Sequence, residues 1–375
     1  MAMRKKIILT FIFVIAVTCL LYVVLSEKPD VAKDQEPKLP YPYHSEEVTF
    51  RNSHYGITLS GTLTFPKEAG IFPAVILITG SGPQDRNEEI VGHKPFLVIA
   101  DYLTRHGFAV LRYDDRGFAK STGNFMTATS LDFASDAESA IAYLKSRKEI
   151  NPEKIGLAGH SEGGLIAAIA ASRSKEVGFV ISLAAPGAIG IDVMNLQAEL
   201  IARAGGVDEI EIAKFNQLNR EITSIVLKSA NTTVLRSNLT AYTKAHLQDY
   251  PKQMLPPGQT KEAFFKSQID VMCTPWYQFL FKVNPALYFG KITCPVLALN
   301  GGKDLQVDAK QNLPAISKAV QDGGNSNVTI KELPNLNHLF QESKTGHPNE
   351  YANIQETFSP LALTVLSEWM TAQTK

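Results

Sequence analysis

Two kinds of hydrophobic pattern alternate along much of the first half of the chain. Short runs of consecutive apolar residues, typical of strands buried on both faces, are separated by longer segments in which apolar positions recur every three to four residues, as in amphipathic helices. The predicted strands are Pro73–Thr79, Ala109–Tyr113, Ile155–Ala158 and Phe179–Ala184, and the predicted helices are Phe96–His106, Leu131–Lys148 and Leu165–Ala171. This alternation predicts a parallel sheet with right-handed crossovers.

An antiparallel hairpin is predicted ahead of this series. Val48–Phe50 and Ile57–Phe65 show strand-like alternation on either side of a turn at residues 53–56. Strand signals return near the end of the sequence and are again followed by helical patterns. The late elements are strands Pro295–Asn300 and Val328–Leu333 and helices Ala309–Val320 and Pro360–Thr371.

Between the early and the late strands, the pattern is helical for about a hundred residues. The predicted helices are Ile191–Ala204, Glu209–Leu227, Thr233–Leu247 and Glu262–Phe281. An insertion at this point of the sequence lies over the ends of the strands, so we predict a cap that walls a substrate pocket. The predicted fold class is α/β: a mostly parallel central sheet flanked by helices, with a helical cap between two late strands.

The N-terminal residues carry a different signal. Arg4, Lys5 and Lys6 precede the apolar run Ile7–Leu25, which as a helix spans roughly 28 Å, about one hydrocarbon core. We expect either an uncleaved membrane anchor or a cleaved signal segment, with the basic residues inside and the body of the protein exported. The catalytic domain is then anchored outside the cytoplasm in the first case and secreted in the second.

These patterns predict five segments. They are an anchor or signal segment at 1–26, a charged and proline-containing linker at 27–46, the first part of the core at 47–189, the cap at 190–291, and the second part of the core at 292–375.

Composition narrows the choice of function. Lys plus Arg and Asp plus Glu both number 37, a balance that argues against nucleic acid as a partner. Cys19, Cys273 and Cys294 form no disulfide framework, and either a Cys273–Cys294 bridge or free thiols remain open. No Cys/His cluster has metal-ligand spacing, so neither a metal nor a cofactor is expected. The oligomeric state also remains open.

The candidate nucleophile lies between the strand Ile155–Ala158 and the helix that follows it. Gly159-x-Ser161-x-Gly163 places a serine on a sharp strand-to-helix turn, where neighbours two positions away must be small. The helix N-terminus beneath the serine favours negative charge, so an oxyanion near Ser161 is stabilised. A serine needs a base to take its proton, and the base and its acid should follow the strands of the sheet.

Asp304 and His338 are the predicted partners of Ser161. Asp304 follows the strand Pro295–Asn300, and His338 lies in the loop after the last strand, so the chain order is serine, acid, histidine. Asp308 is the alternative acid and His347 the alternative base. His160, beside the nucleophile, is expected to face away from the serine.

The oxyanion hole requires two backbone N–H donors. We predict Glu162, the residue after the nucleophile, and Ser81, in the loop after Pro73–Thr79, with Gly82 as the second choice. Gly82 and Gln84 of this loop are also predicted to bind substrate. After the next strand, Asp115 and Arg116 either contact substrate or form a structural charge pair that braces the loops near the serine; we favour the charge pair.

The chain from Val48 to Trp369 resembles the α/β-hydrolase superfamily, so the resemblance implies the α/β-hydrolase fold. The residues that carry it are Gly80-Ser81-Gly82-Pro83, Tyr113-Asp114-Asp115-Arg116-Gly117, Gly159-His160-Ser161-Glu162-Gly163-Gly164, Gly302-Lys303-Asp304 and Asn337-His338. One departure is Thr79-Gly80, where the family usually has His-Gly. This departure lies next to Ser81, the predicted oxyanion donor of the same loop.

A narrower resemblance is to exported bacterial hydrolases of the serine-aminopeptidase-like (hydrolase-4) and dienelactone-hydrolase-like branches. It is carried by Pro275-Trp276, Asp304-Leu305-Gln306-Val307 and Asn337-His338-Leu339-Phe340-Gln341. It implies a carboxylesterase that acts on short-acyl esters.

We therefore expect a serine hydrolase that cleaves small-molecule carboxylic esters through an acyl-enzyme. The first alternative is a peptidase on short peptides, whose substrate α-ammonium would meet cap acids such as Glu199, Asp208 or Glu209. The second is a binding module without catalysis, against which the presence of all three predicted triad residues argues.

Overall fold

The structure, a computed structural model, describes residues 33–247 and 258–375, and within these ranges one eight-stranded sheet forms the centre of the protein. Its strands are β1 (His44–Asn52), β2 (Ile57–Phe65), β3 (Phe72–Ile78), β4 (Ala109–Tyr113), β5 (Ile150–His160), β6 (Phe179–Leu183), β7 (Val296–Gly301) and β8 (Val328–Leu333). Their spatial order is β1-β2-β4-β3-β5-β6-β7-β8. The pairs β1–β2 and β2–β4 are antiparallel, and all other pairs are parallel.

Helices connect and flank these strands. They are α1 (Pro95–Arg105), α2 (Ser130–Lys145), α3 (Glu162–Arg173), α4 (Gly190–Ala204), α5 (Glu209–Lys228), α6 (Thr232–His246), α7 (Lys261–Met272), α8 (Pro275–Lys282), α9 (Ala286–Phe289), α10 (Ala309–Asp322) and α11 (Pro360–Thr374), with a 3₁₀ helix at Pro348–Asn353.

The apolar runs form central strands because both faces of the sheet are covered. Successive residues of a strand point to opposite faces, and in β3 the side chains of Ile76 and Ile78 lie in one hydrophobic cluster while those of Val75 and Leu77 lie in the other. The first cluster includes residues of α2 and α3, and the second includes residues of α1 and α11. A continuous apolar run is therefore required at this position.

The predicted elements are found with small shifts of their ends, apart from one helix. The sequence predicts a single helix at Glu262–Phe281, which is wrong, because the chain forms α7 and α8 with a break at Cys273 and Thr274. Pro275 has no N–H to donate into a continuing helix. The Thr274 hydroxyl instead accepts a hydrogen bond from the Tyr277 N–H and caps α8.

The insertion predicted as a cap consists of helices α4 to α9 between β6 and β7, with residues 248–257 outside the described ranges. Helix α4 packs against α5 and α8. The five-segment division of the chain stays a prediction. The thiols of Cys273 and Cys294 are both free, so the bridge left open by the sequence is not formed.

Several residues within 33–43 contact the core, although the sequence places this segment in a linker and Leu39 is exposed. The Lys33 ammonium is buried and donates to the Ile354 carbonyl at 2.8 Å, and the Gln35 side chain accepts from the Thr357 N–H and donates to the Phe358 carbonyl. Strand β1 also begins inside the predicted linker 27–46. The expectation that this segment has little to bury therefore does not hold from residue 33 onward.

The segment predicted as an anchor or signal, residues 1–26, lies outside the described residues. Across residues 33–247 and 258–375, no helix combines the length and the apolar character needed to cross a bilayer.

Candidate active site

The turn between β5 and α3 holds Ser161 in a backbone conformation that requires glycines around it. Ser161 has φ 54° and ψ −123°. Residues other than glycine rarely adopt a positive φ. A Cβ at Gly159 would lie 2.0 Å from the Gly163 carbonyl oxygen, and a Cβ at Gly163 would lie 2.2 Å from the Ile78 carbonyl oxygen. Only glycine fits at both positions, and the turn leaves Ser161 partly exposed at the start of α3.

Asp304 and His338 form a buried pair beside this turn. His338 Nδ1 and Asp304 Oδ2 lie 2.8 Å apart, and with the carboxylate as acceptor we assign Nδ1 as the donor. The Asp304 carboxylate also accepts from the N–H groups of Gln306 and Val307 and from the Asn300 amide. These contacts fix the carboxylate at the end of β7. Because Nδ1 is bonded to Asp304, Nε2 is the ring nitrogen of His338 that this bond does not use.

Ser161 and His338 line the same two cavities. Within the described part of the chain, no hydrogen bond joins the Ser161 hydroxyl to the His338 imidazole. Such contacts are often long in the free enzyme and tighten only when substrate is bound.

The alternative acid and base are engaged elsewhere. The Asp308 carboxylate accepts from the Gln311 N–H at 2.8 Å and caps α10. His347 Nδ1 accepts from the Asn349 N–H, and the residue lines a separate surface groove. The structure therefore brings Asp304, rather than Asp308, into contact with His338.

Two small cavities meet at Ser161. The first has a volume of about 20 Å³ and is bounded on one side by the 3₁₀ helix through Pro348 and Tyr351. The second, of about 60 Å³, lies between the core and the insertion. Its apolar lining from helices α4 and α8 comprises Val193, Met194, Trp276 and Leu280. Ser81, Ser161, Gln306 and His338 line both cavities.

The loop after β3 reaches the cavities at the predicted residues, with one exception. The Gly80 N–H donates to Glu88 Oε1 at 2.7 Å and is therefore already used. The next N–H along the loop is that of Ser81. Gln84 lines the first cavity and is buried. Gly82, with φ 92°, forms the bend of the loop and lies outside the lining of both cavities, and its contact with substrate stays a prediction.

Glu162 has a side-chain role that the sequence analysis missed. As the first residue of α3 its N–H has no intrahelical acceptor, as the oxyanion prediction requires. Its buried carboxylate accepts hydrogen bonds from Ser81 Oγ, Ser130 Oγ and Trp276 Nε1, at 2.7, 2.7 and 2.9 Å. Burial raises the pKa of Glu162, although these three bonds oppose the rise. The signal for this role in the sequence is a charged residue in a turn that is otherwise made mostly of small residues.

Asp115 and Arg116 do not form the predicted pair with each other. Arg116 Nε contacts the Asp136 carboxylate at 2.7 Å, on helix α2. The Asp115 carboxylate accepts from the Thr79 hydroxyl at 2.6 Å and from the Gln84 N–H at 2.8 Å. Asp115 still braces the loops near the serine, although its partner is not Arg116, because its hydrogen bonds link the end of β4 to the end of β3.

The cap acids named for a peptidase lie away from the cavities. Glu199 and Glu209 both pair with Arg203 on the surface. Asp208 caps α5 through the N–H groups of its first turn. None of the three acids lines either cavity. Within residues 33–247 and 258–375, no group of three or more His, Cys, Asp or Glu side chains is placed to hold a metal ion.

The sequence is similar to those of several known proteins. Residues 94–256 match the family described as Hydrolase_4, serine aminopeptidase, S33. Esterase EstD of Thermotoga maritima is 28% identical over 301 residues, which cover 80% of this chain and 61% of that esterase. The match thus spans about three fifths of the length of EstD. The uncharacterized protein YfhR of Escherichia coli is 38% identical over 66 residues, 18% of this chain and 22% of YfhR.

Solved structures establish the fold. The Pyrococcus furiosus esterase Pf2001 matches with a TM-score of 0.52 at 16% identity, over 89% of this chain and 92% of that one. The hypothetical protein PA2218 from Pseudomonas aeruginosa matches with the same TM-score and identity, over 91% and 97% of the two chains. The protein has the α/β-hydrolase fold. The partial match to a hydrolase family and the similarity to an esterase agree with the resemblance drawn from the motifs.

The Glu162→Gln variant tests the buried carboxylate. Because the folded-state pKa of Glu162 is raised, its stabilising contribution is complete below the unfolded value of about 4.5 and is lost as the pH rises through the folded value. Glutamine does not ionise, so the unfolding free energy of the variant should increase relative to wild type as the pH rises above about 4.5. Urea denaturation at a series of pH values measures this difference.

The matched control for this experiment is Glu176→Gln, which alters an exposed carboxylate paired with Lys145. Its unfolding free energy should follow that of wild type. Parallel pH curves for Glu162→Gln and wild type would contradict the assignment of a raised pKa.

Proposed function

We propose that the protein is a serine hydrolase that cleaves short-acyl carboxylic esters. The observation that carries the proposal is the buried His338–Asp304 pair, 2.8 Å between Nδ1 and Oδ2, whose histidine lines the same cavities as a serine at a helix N-terminus. A nucleophile, a base and an acid that orients the base are the parts of an acyl-transfer site.

In the proposed reaction, His338 Nε2 takes the proton of the Ser161 hydroxyl as Oγ attacks the ester carbonyl carbon. The resulting imidazolium is stabilised by Asp304 and gives its proton to the leaving alcohol oxygen as the ester bond breaks. Water then attacks the acyl-enzyme with its proton passing to His338, which returns a proton to Ser161 Oγ as the acid is released.

The negative charge that develops on the carbonyl oxygen needs N–H donors that are already in position. We assign this role to the N–H groups of Ser81 and Glu162. The start of α3 adds the positive end of the helix dipole at the same place. Hydrogen bonds of Gly80 and Ser81 to Glu88 and Glu162 hold the loop that carries one of these donors.

The substrate class follows from the dimensions and the lining of the cavities. A volume of about 60 Å³ lined by Val193, Met194 and Leu280 suits a short apolar acyl chain. The esterases EstD and Pf2001 are named for this activity, which supports the choice of ester as substrate.

The Ser161→Ala variant removes the proposed nucleophile. Hydrolysis of p-nitrophenyl acetate and butyrate should fall by about four orders of magnitude or more, because the remaining groups cannot form an acyl-enzyme. Stopped assays with purified protein measure the loss, and a fluorophosphonate probe should label wild type but not the variant.

The control for this variant is Ser172→Ala, on the same helix, whose hydroxyl donates to the Ile169 carbonyl. It should retain wild-type turnover. Undiminished hydrolysis by Ser161→Ala would end the proposal.

The Met194→Ala variant tests which cavity holds the acyl chain. Shortening this side chain enlarges the cavity beside α4, so kcat/KM for hexanoate relative to acetate esters should rise by about tenfold. Leu227→Ala, which shortens an exposed leucine on α5, is the matched control and should leave the ratio unchanged. An unchanged ratio in Met194→Ala would place the acyl group elsewhere.

A peptidase activity is the second candidate, favoured by the family described as serine aminopeptidase that matches residues 94–256. The positions of Glu199, Asp208 and Glu209 count against it, because these acids lie on the surface and outside the cavities. A panel of aminoacyl-nitroanilides beside the acyl esters distinguishes the two functions: turnover of the anilides above that of the esters would replace the first proposal.

We further propose that residues 1–26 direct the protein to or across a membrane, because the basic residues before Ile7–Leu25 match that use. Fractionation of cells that express the full chain should recover it from the membrane or the exported fraction. A chain without residues 1–26 should stay in the cytoplasm. Identical distributions of the two chains would contradict the proposal.

A further inference from the structure

A second histidine lies next to the nucleophile and has no part in the proposed reaction. His160 is the last residue of β5, and its ring is buried between two oxygen atoms. Nε2 lies 2.9 Å from the His338 carbonyl oxygen, and Nδ1 lies 3.0 Å from Glu88 Oε1. The carbonyl can only accept, so Nε2 carries a hydrogen. An ionised carboxylate also only accepts, so Nδ1 carries one too. With Glu88 ionised, this geometry fits an imidazolium.

The same carboxylate oxygen also holds the oxyanion loop. Glu88 Oε1 accepts the Gly80 N–H at 2.7 Å, and the Glu88 side chain is almost fully buried. A Cβ at Gly80 would lie 3.1 Å from this oxygen and 3.3 Å from Ser161 Cβ, so the loop lies against both groups. His160 and Glu88 therefore connect three segments: the strand before Ser161, the loop before Ser81 and the loop of His338.

The charges around the ring favour its protonated form. Burial by itself lowers the pKa of His160, but the Glu88 carboxylate, the His338 carbonyl and the Asp304 carboxylate outweigh burial, and the pKa lies above its usual value. The His338 ring is the other titratable group that faces it, with 4.8 Å between the ring centroids. A buried cation matched by a buried carboxylate stays charged when both hydrogen bonds are satisfied.

We propose that His160 is a positioning residue that, as an imidazolium paired with Glu88, fixes the main chain of His338 and the oxyanion loop relative to Ser161. Asp304 holds the His338 ring through Nδ1, and His160 holds the same residue through its carbonyl oxygen. The proposal rests on the proposed function for its effect on catalysis. Displacement of a catalytic group by about 1 Å costs on the order of a hundredfold in rate.

The charge state is tested on the wild-type protein, without reference to turnover. NMR of protein labelled with ¹⁵N-histidine should show one residue with both ring nitrogens protonated at about pH 8, where an isolated histidine is neutral. The signal is assigned by its loss in His160→Gln. A His160 ring with one unprotonated nitrogen at that pH overturns the proposal, whether or not the protein hydrolyses esters.

The positioning role is tested with Glu88→Gln. The glutamine oxygen can still accept from Gly80 and His160, but the charge is gone, so the imidazolium loses its counter-charge and should deprotonate at lower pH. The ratio of kcat in the variant to kcat in wild type should then fall by about tenfold or more from about pH 6 to about pH 9. KM should change less than kcat.

Asp136→Asn is the matched control, because it disrupts a buried pair, with Arg116, that does not contact His338 or Gly80. Its kcat ratio to wild type should not vary with pH. A pH-independent ratio in Glu88→Gln overturns the proposal, since a merely structural defect has that result. If wild type hydrolyses no ester, the proposed function fails, and the rate of fluorophosphonate labelling of Ser161 replaces kcat in the same comparison.

Discussion

Close backbone contact at the start of α3 is the constraint on which the rest of the site depends. The carbonyl of Ile78 in β3 and the carbonyl of Gly163 occupy the space that side chains at positions 163 and 159 would need. This packing brings the first turn of the helix against the sheet and forces Ser161 to a positive φ. The loop after β3 and the loop after β8 then meet around a serine whose position is set by main-chain atoms rather than by flexible side chains.

Two buried glutamates hold the loop after β3 from opposite sides of this turn. Glu88 takes the N–H of Gly80 and contacts His160, while Glu162 takes the hydroxyl of Ser81 and contacts Trp276 of the insertion. One glutamate therefore links the loop to the segment of His338, and the other links it to a wall of the larger cavity. Hydrogen bonds to charged groups are stronger than neutral ones and are costly to lose when buried. The loop that carries a proposed oxyanion donor is consequently fixed by both the core and the insertion.

The succession of strands and helices along the chain could be predicted from the sequence because apolar runs and turn residues are local signals, and the residues that follow parallel strands meet at one edge. Asp304 and His338 could be chosen on that basis without knowledge of their contact. The partners of Arg116 and of Glu162 could not be predicted in this way, because they depend on which helix packs over which loop. The break before Pro275 is not evident from the hydrophobic pattern, because the helical period of apolar residues continues across it. The charged state of His160 depends on a carboxylate 72 positions away in sequence.

The docking of residues 33–43 has a mechanical consequence. Lys33 and Gln35 are attached to the stretch from Ile354 to Phe358, immediately after the 3₁₀ helix whose Tyr351 forms part of one cavity wall. A pull on the polypeptide upstream of residue 33 would therefore load the hydrogen bonds of Lys33 and Gln35 before it reaches β1, the first strand of the sheet. In a tethered protein, these hydrogen bonds would couple the tether to the segment next to Tyr351 and so to one wall of the cavity.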